Sequence, residues 1–154
     1  MRVATFIFKR NQTMKKVKIE IESTVEDIDD AGLVESSDKT HTEALGTLIE
    51  KDNCIFLSYS ETNESITTKS DIIISDGEIT VERSGGVEYK FLFAEGKTTK
   101  SLYTVPPYSF DTEIYTRRIR KEFVGLIKKI TLIYDMTIGG AKKKTRMNIR
   151  VSEK

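Results

Sequence analysis

Ser75-Asp76-Gly77-Glu78-Ile79-Thr80-Val81-Glu82-Arg83-Ser84-Gly85-Gly86-Val87-Glu88-Tyr89-Lys90-Phe91-Leu92-Phe93-Ala94-Glu95-Gly96-Lys97 is the stretch whose reading decides the fold. Two short runs of alternating apolar and polar side chains sit between clusters built from Gly, Ser, Asp and Glu. Gly, Asn and Asp tolerate the positive φ of tight antiparallel turns, so consecutive runs must lie side by side. Asp52-Asn53 upstream punctuates the chain in the same way. Working outward, strands are expected at residues 16–24, 42–51, 54–61, 68–75, 78–83, 87–93, 98–105, 108–117, 129–138 and 142–151. Pro106-Pro107 interrupts the ladder because neither residue has an N–H to donate, and Gly139-Gly140 joins the last two strands. The pattern reads as an all-β domain, an antiparallel up-and-down barrel of about 8–10 strands. Residues 25–40, acidic and almost free of periodicity, read as a long loop.

Parity separates the faces. Ile79, Val81, Val87, Tyr89, Phe91, Phe93, Phe110, Ile114, Ile130, Leu132, Tyr134, Met136, Met147, Ile149 and Val151 fall on one side of their strands, the expected interior. Burying each contributes roughly 1.5–3 kcal/mol. Arg83 shares the parity of Ile79 and Val81. An isolated buried charge costs several kcal/mol, so Arg83 either sits at the rim beside Gly85-Gly86 or is paired, and a ligand carboxylate is the functional form of such a pair.

The 154 residues suffice for one self-supporting core. Residues 1–13 are expected to be an N-terminal extension ahead of a domain at 14–154, with Met14 a candidate initiator and 3–8 an apparent extra strand. A single cysteine excludes an internal disulfide, and Cys54 with His41 cannot assemble a zinc site of the Cys/His type. No run approaches the roughly 20 apolar residues of a membrane helix, and the expected setting is the cytoplasm.

The residues argue against catalysis. With a turn at Asp52-Asn53, Lys51 faces Cys54 and His41 is expected to face Glu64, so Cys54 and His41 stand ten residues apart along a hairpin, about 30 Å at the strand rise. Asp111 and Glu113 share a face, but one opposite to Phe110 and Ile114, which puts them in water. Neither Gly-Gly pair opens a helix, so no phosphate loop is present. No cofactor or metal is expected.

Net charge is +1, but the distribution is uneven. Residues 26–64 hold 11 acidic side chains against Lys39 and Lys51, a net −9, while residues 115–154 hold 12 basic ones against Glu122, Asp135 and Glu153, a net +9. In a barrel the last strands return beside the first, so the two segments are expected to complement each other.

Taken together, Leu57-Ser58-Tyr59-Ser60-Glu61, Ile74-Ser75-Asp76-Gly77-Glu78, Val81-Glu82-Arg83-Ser84-Gly85, Phe93-Ala94-Glu95-Gly96, Thr98, Tyr103 and Tyr134-Asp135-Met136 resemble the YwiB-like family of bacterial proteins over residues 17–151. The resemblance implies a lipocalin-like barrel of the calycin type in the cytoplasm; it implies no activity and carries over no functional residue. Pro107-Tyr108-Ser109 stands where relatives often have Pro-Tyr-Gly.

Three non-enzymatic readings follow. The first is a small apolar or amphipathic ligand held in or at the mouth of the barrel, with Arg83, Tyr89, Tyr103 and Tyr115 as polar anchors. The second is an interaction or self-association module, the acidic segment meeting a basic partner or a second copy. The third is polyanion binding through Arg117, Arg118, Arg120, Lys121, Lys142, Lys143 and Lys144, disfavoured because overall charge is near zero.

Overall fold

The computed structural model describes residues 13–154. The sequence expectations for residues 1–12 therefore lie outside the described residues. Ten strands follow one another: β1 (Thr13–Ile28), β2 (Val34–Lys51), β3 (Cys54–Asn63), β4 (Ile66–Ile74), β5 (Glu78–Ser84), β6 (Glu88–Ala94), β7 (Thr98–Val105), β8 (Tyr108–Val124), β9 (Ile127–Ile138) and β10 (Ala141–Glu153). Each pairs antiparallel with its sequence neighbours, and β1 pairs with β10 to close the barrel. The turns carry out the expected chemistry: Asp52 and Asn53 take φ of 51° and 63°, and Gly77 and Gly96 take 83° and 78°.

The expected loop at 25–40 is instead a continuation of the sheet. β1 runs on to Ile28 and β2 begins at Val34, and the turn between them is locked by Asp29 Oδ1, which accepts from the N–H groups of Ala31 (2.9 Å) and Leu33 (2.8 Å). Every β2 residue from Val34 to His41 is exposed, so the arm lacks the one-sided apolar alternation by which strands are recognised. β2 pairs here with β1, and β1 pairs on its other side with β10, where Glu26 lies opposite Lys144 and Lys143 Nζ reaches Asp27 Oδ1 at 2.5 Å. The acidic and basic halves of the chain thus meet in one ladder.

β8 also outruns its expected end, reaching Val124 before the turn at Gly125 and Leu126. A bulge between Thr116 and Arg118 reverses its parity, so Thr112, Ile114 and Thr116 point inward above it and Ile119 and Lys121 below it. The N–H of Ile119 donates to Glu95 Oε1 at 3.1 Å.

Inside, Val17, Ile19, Leu48, Leu57, Ile72, Ile74, Ile79, Phe91, Phe93, Ile114, Ile130, Leu132, Ile149 and Val151 form one buried cluster. It fills the middle of the barrel. The end bearing the 52–53, 75–77 and 125–126 turns is closed by ion pairs, Lys15–Glu153 at 3.1 Å and Lys128–Glu50 at 3.5 Å. Phe110, expected inside, keeps inward parity but is 41% exposed, because it sits at the opposite mouth against Gly139. No helix among the described residues is long and apolar enough to cross a membrane.

Candidate functional site

Strand register places Tyr59 opposite Ser70, Ser70 opposite Arg83, Arg83 opposite Tyr89, Tyr89 opposite Tyr103 and Tyr103 opposite Phe110. All six side chains have inward parity. They form a single row across six adjacent strands, oblique to the barrel axis because the strands tilt. Burial decreases along it: Ser70 is fully buried, Tyr59 is 8% exposed, Arg83, Tyr89 and Tyr103 are partly buried, and Phe110 stands at the rim. One step toward the filled core the same strands present Leu57, Ile72, Val81 and Phe91, so the row is where the interior changes from apolar to polar.

Aromatic stacking fixes one wall. Tyr89 stacks on Phe91 with centroids 4.0 Å apart and on Tyr103 at 5.6 Å. Below them Phe93 packs against Phe91 edge-on at 6.5 Å and against Tyr134 at 4.7 Å. These rings form the floor.

Arg83 provides the charge. Its Nη2 reaches Glu61 Oε1, also of inward parity, at 3.4 Å, while its Nε is buried with no hydrogen-bond partner. Ser70 Oγ is likewise buried without a hydrogen bond of good geometry. Burial opposes the guanidinium charge, but Tyr89, Tyr59 and Glu61 more than offset it, and the Arg83 pKa is raised. Burial pushes the Tyr89 phenol up to about 12 against the pull of Arg83, and it raises Tyr59 and Tyr134 as well. At neutral pH the row therefore presents the Arg83 cation beside the neutral phenols of Tyr59 and Tyr89.

Of the four anchors expected from sequence, Arg83, Tyr89 and Tyr103 come together and Tyr115 does not. Tyr115 is 40% exposed on the outer face, with the Arg117 guanidinium 5.7 Å from its ring centre. Its parity, shared with Asp111 and Glu113, dictated that. Tyr59, Glu61 and Ser70 were overlooked, although Tyr59 and Glu61 follow Leu57 at intervals of two and register carries Ser70 to Arg83.

The basic residues do not converge in the same way. Arg117 forks onto Asp135 Oδ2 through Nε (2.8 Å) and Nη2 (2.5 Å), Arg120 lies 3.5 Å from Glu122, Lys121 donates to the Ser75 carbonyl, and Lys143 is held by Asp27. Arg118, Lys142 and Lys144 have no side-chain partner among the described residues.

His41 faces Glu22 on β1 and not Glu64, because β2 pairs with β3 only from Gly46 onward. On that outer face Glu20, His41 and Glu43 bring potential ligand atoms within 4.8 Å of one another, but Lys18 Nζ already stands 3.7 Å from Glu20 and 3.8 Å from Glu43. The hydrogen bond that His41 donates to the Glu43 carboxylate, with the charges of Glu22, Glu43 and Glu20, raises the His41 pKa. Cys54 opens β3 beside Lys51. Grooves of about 300 Å³ along Glu22, Lys129 and Arg150 and of about 280 Å³ between Ile55, Ile74 and Phe123 lie away from Arg83, on the outer wall and at the closed end.

The family described as a domain of unknown function, DUF1934, matches residues 13–149. The "Uncharacterized beta-barrel protein YwiB" of Bacillus subtilis (strain 168) is 25% identical over 123 residues, which are 80% of this chain and 82% of that one. The crystal structure of ywiB protein from Bacillus subtilis superposes with a TM-score of 0.80 at 22% identity, covering 95% of this chain and 97% of that chain.

Proposed function

This chain belongs to the DUF1934 family, and from its own interior we propose that it is a non-catalytic, cytoplasmic binding protein that holds a small amphipathic molecule at the mouth of its barrel. One observation carries this reading. The inward row from Tyr59 to Phe110 sets a cation with an unused donor among aromatic rings, directly above an apolar floor. A binding cleft of this type combines predominantly apolar walls with a few convergent polar groups. The middle of the barrel is occupied by Phe91, Phe93 and Tyr134, which confines a ligand to the mouth, at the level of the row from Arg83 to Phe110.

Native mass spectrometry of protein purified without refolding tests the reading against the 17.5 kDa mass of the chain. The expected result is a discrete adduct of a few hundred daltons that leaves on denaturation. A clean apo mass, unchanged after incubation with amphipathic additives, contradicts it. The same spectrum reads self-association from the oligomer peaks.

A further inference from the structure

The outer surface of this protein supplies a standard for what an arginine fork looks like when it is satisfied. Arg117 presents its Nε and Nη2 edge to a single carboxylate, and both donors are engaged, at 2.8 and 2.5 Å. Arg83, inside the barrel, offers the same edge and uses only part of it: Nη2 lies at 3.4 Å from Glu61 Oε1, at the long limit of a hydrogen bond, and Nε has no acceptor although water is excluded from it. A buried donor left without an acceptor is destabilising, the more so when it is charged. A second orphan stands next to the first. Ser70 is directly opposite Arg83 on the neighbouring strand, where paired Cβ atoms lie about 5 Å apart, and its hydroxyl is also buried, with the Tyr59 hydroxyl near it but no hydrogen bond of good geometry.

Resting on the binding reading above, we propose that Arg83 Nε–H and Nη2–H together with Ser70 Oγ–H form a carboxylate subsite, and that the Glu61 carboxylate is the internal group with which the ligand's head competes. A planar carboxylate accepts both donors of the fork at once and leaves an oxygen toward the Ser70 hydroxyl. Glu61 projects from the strand next but one to that of Arg83, one inward step nearer the mouth than Tyr59, and it is 38% exposed, so it has room to turn toward solvent when displaced. The charge count selects a monoanion. Arg83 is the single cation of the row, and the other inward base at this end, Lys143, is bound to Asp27 on the β1–β2 arm. A phosphate dianion would lack a second counter-charge. Tyr59, Tyr89 and Tyr103 then face the first carbons of the ligand.

Isothermal titration with three ten-carbon probes, decanoate, decanol and decyl phosphate, decides the matter in the wild type, Arg83→Gln and Glu61→Gln. Decanoate is expected to bind the wild type at least ten-fold more tightly than decanol. Arg83→Gln removes that preference, bringing the decanoate-to-decanol affinity ratio to about one, and Glu61→Gln strengthens decanoate several-fold by removing its competitor. Equal binding of decanoate and decanol by the wild type, or a preference that survives Arg83→Gln, overturns the carboxylate subsite while leaving the binding barrel in place. Tighter binding of decyl phosphate than decanoate overturns the monoanion assignment. Failure of all three probes to bind overturns the barrel reading itself. Should Arg83→Gln not fold by circular dichroism, Glu61→Gln still decides: weaker or unchanged decanoate binding contradicts the competition.

Discussion

Phe93→Ala is expected to lower the stability of the barrel by about 3–5 kcal/mol, the range for removing a buried aromatic ring from a core that relaxes only partially. Phe93 is 1% exposed and is the largest of the fully buried side chains. It touches Phe91 at 6.5 Å and Tyr134 at 4.7 Å, so its loss opens a void beneath the row that carries Arg83. Since single domains are stable by about 5–15 kcal/mol, a change of this size removes a large fraction of the total. For a chain of this length the midpoint of thermal unfolding should fall by roughly 10 °C or more. Calorimetry checks this; a fall of only 1 or 2 °C would mean that Phe93 does not pack as described.

Gly85→Ala is the second large effect, and it arises in the backbone. Gly85 has φ +117°, a conformation L side chains rarely adopt, and a Cβ built there would stand 2.1 Å from the Thr67 carbonyl oxygen and 3.0 Å from Thr68 Cα. Strain of about 1–3 kcal/mol for the dihedral adds to a clash that only main-chain movement relieves. Urea denaturation should therefore show a loss of roughly 3 kcal/mol or more. Gly96→Ala provides the control, because Gly96 has φ +78° but nothing within 4 Å of the added Cβ. It should cost about 1–2 kcal/mol from the left-handed backbone alone. Equal losses at the two positions would contradict the close approach of the β5–β6 turn to β4. That turn also spaces Arg83 from Tyr89 and brings the Gly86 N–H to Thr68 Oγ1 at 3.3 Å, so its distortion should reach the polar row.

The fold was legible where turn chemistry and one-sided alternation coincide. Asp52-Asn53, Asp76-Gly77, Gly85-Gly86 and Gly96 each mark a real turn, and β7 is observed with the bounds that Thr98 and Pro106 suggest. What escaped has physical causes. The arm from Val25 to Thr40 forms strands with little apolar signal because solvent reaches β2 there, and β2 is held by pairing with β1, which in turn pairs with β10. The end of β8 lies beyond a bulge at Arg117, and a parity reading carried across a bulge inverts. His41 was assigned to Glu64 by extending a register past Gly46, where β2 and β3 part; a Cβ at Gly46 would lie 2.3 Å from the Ser58 carbonyl oxygen.

The candidate site was half legible for a related reason. Arg83 announced itself as a charge on an apolar parity, and Tyr89 and Tyr103 share its face. Tyr59, Ser70 and Glu61 belong to the same row only through the cross-strand register, which requires every intervening turn length to be right. Tyr115 was misplaced by a preference for aromatic anchors over the parity of its neighbours Ile114 and Thr116, both buried.

The central claim is that the inward Arg83 fork is the part of this barrel that meets a ligand, and nitrogen-15 NMR of arginine Nε–H groups observes it directly. Arg83→Gln assigns the resonance by its disappearance. On titration with decanoate the Arg83 Nε–H signal is predicted to shift strongly, exchange more slowly with water and respond before that of Arg117, whose fork is already filled by Asp135. An Arg83 signal that stays in place while decanoate binds elsewhere on the protein would contradict the account.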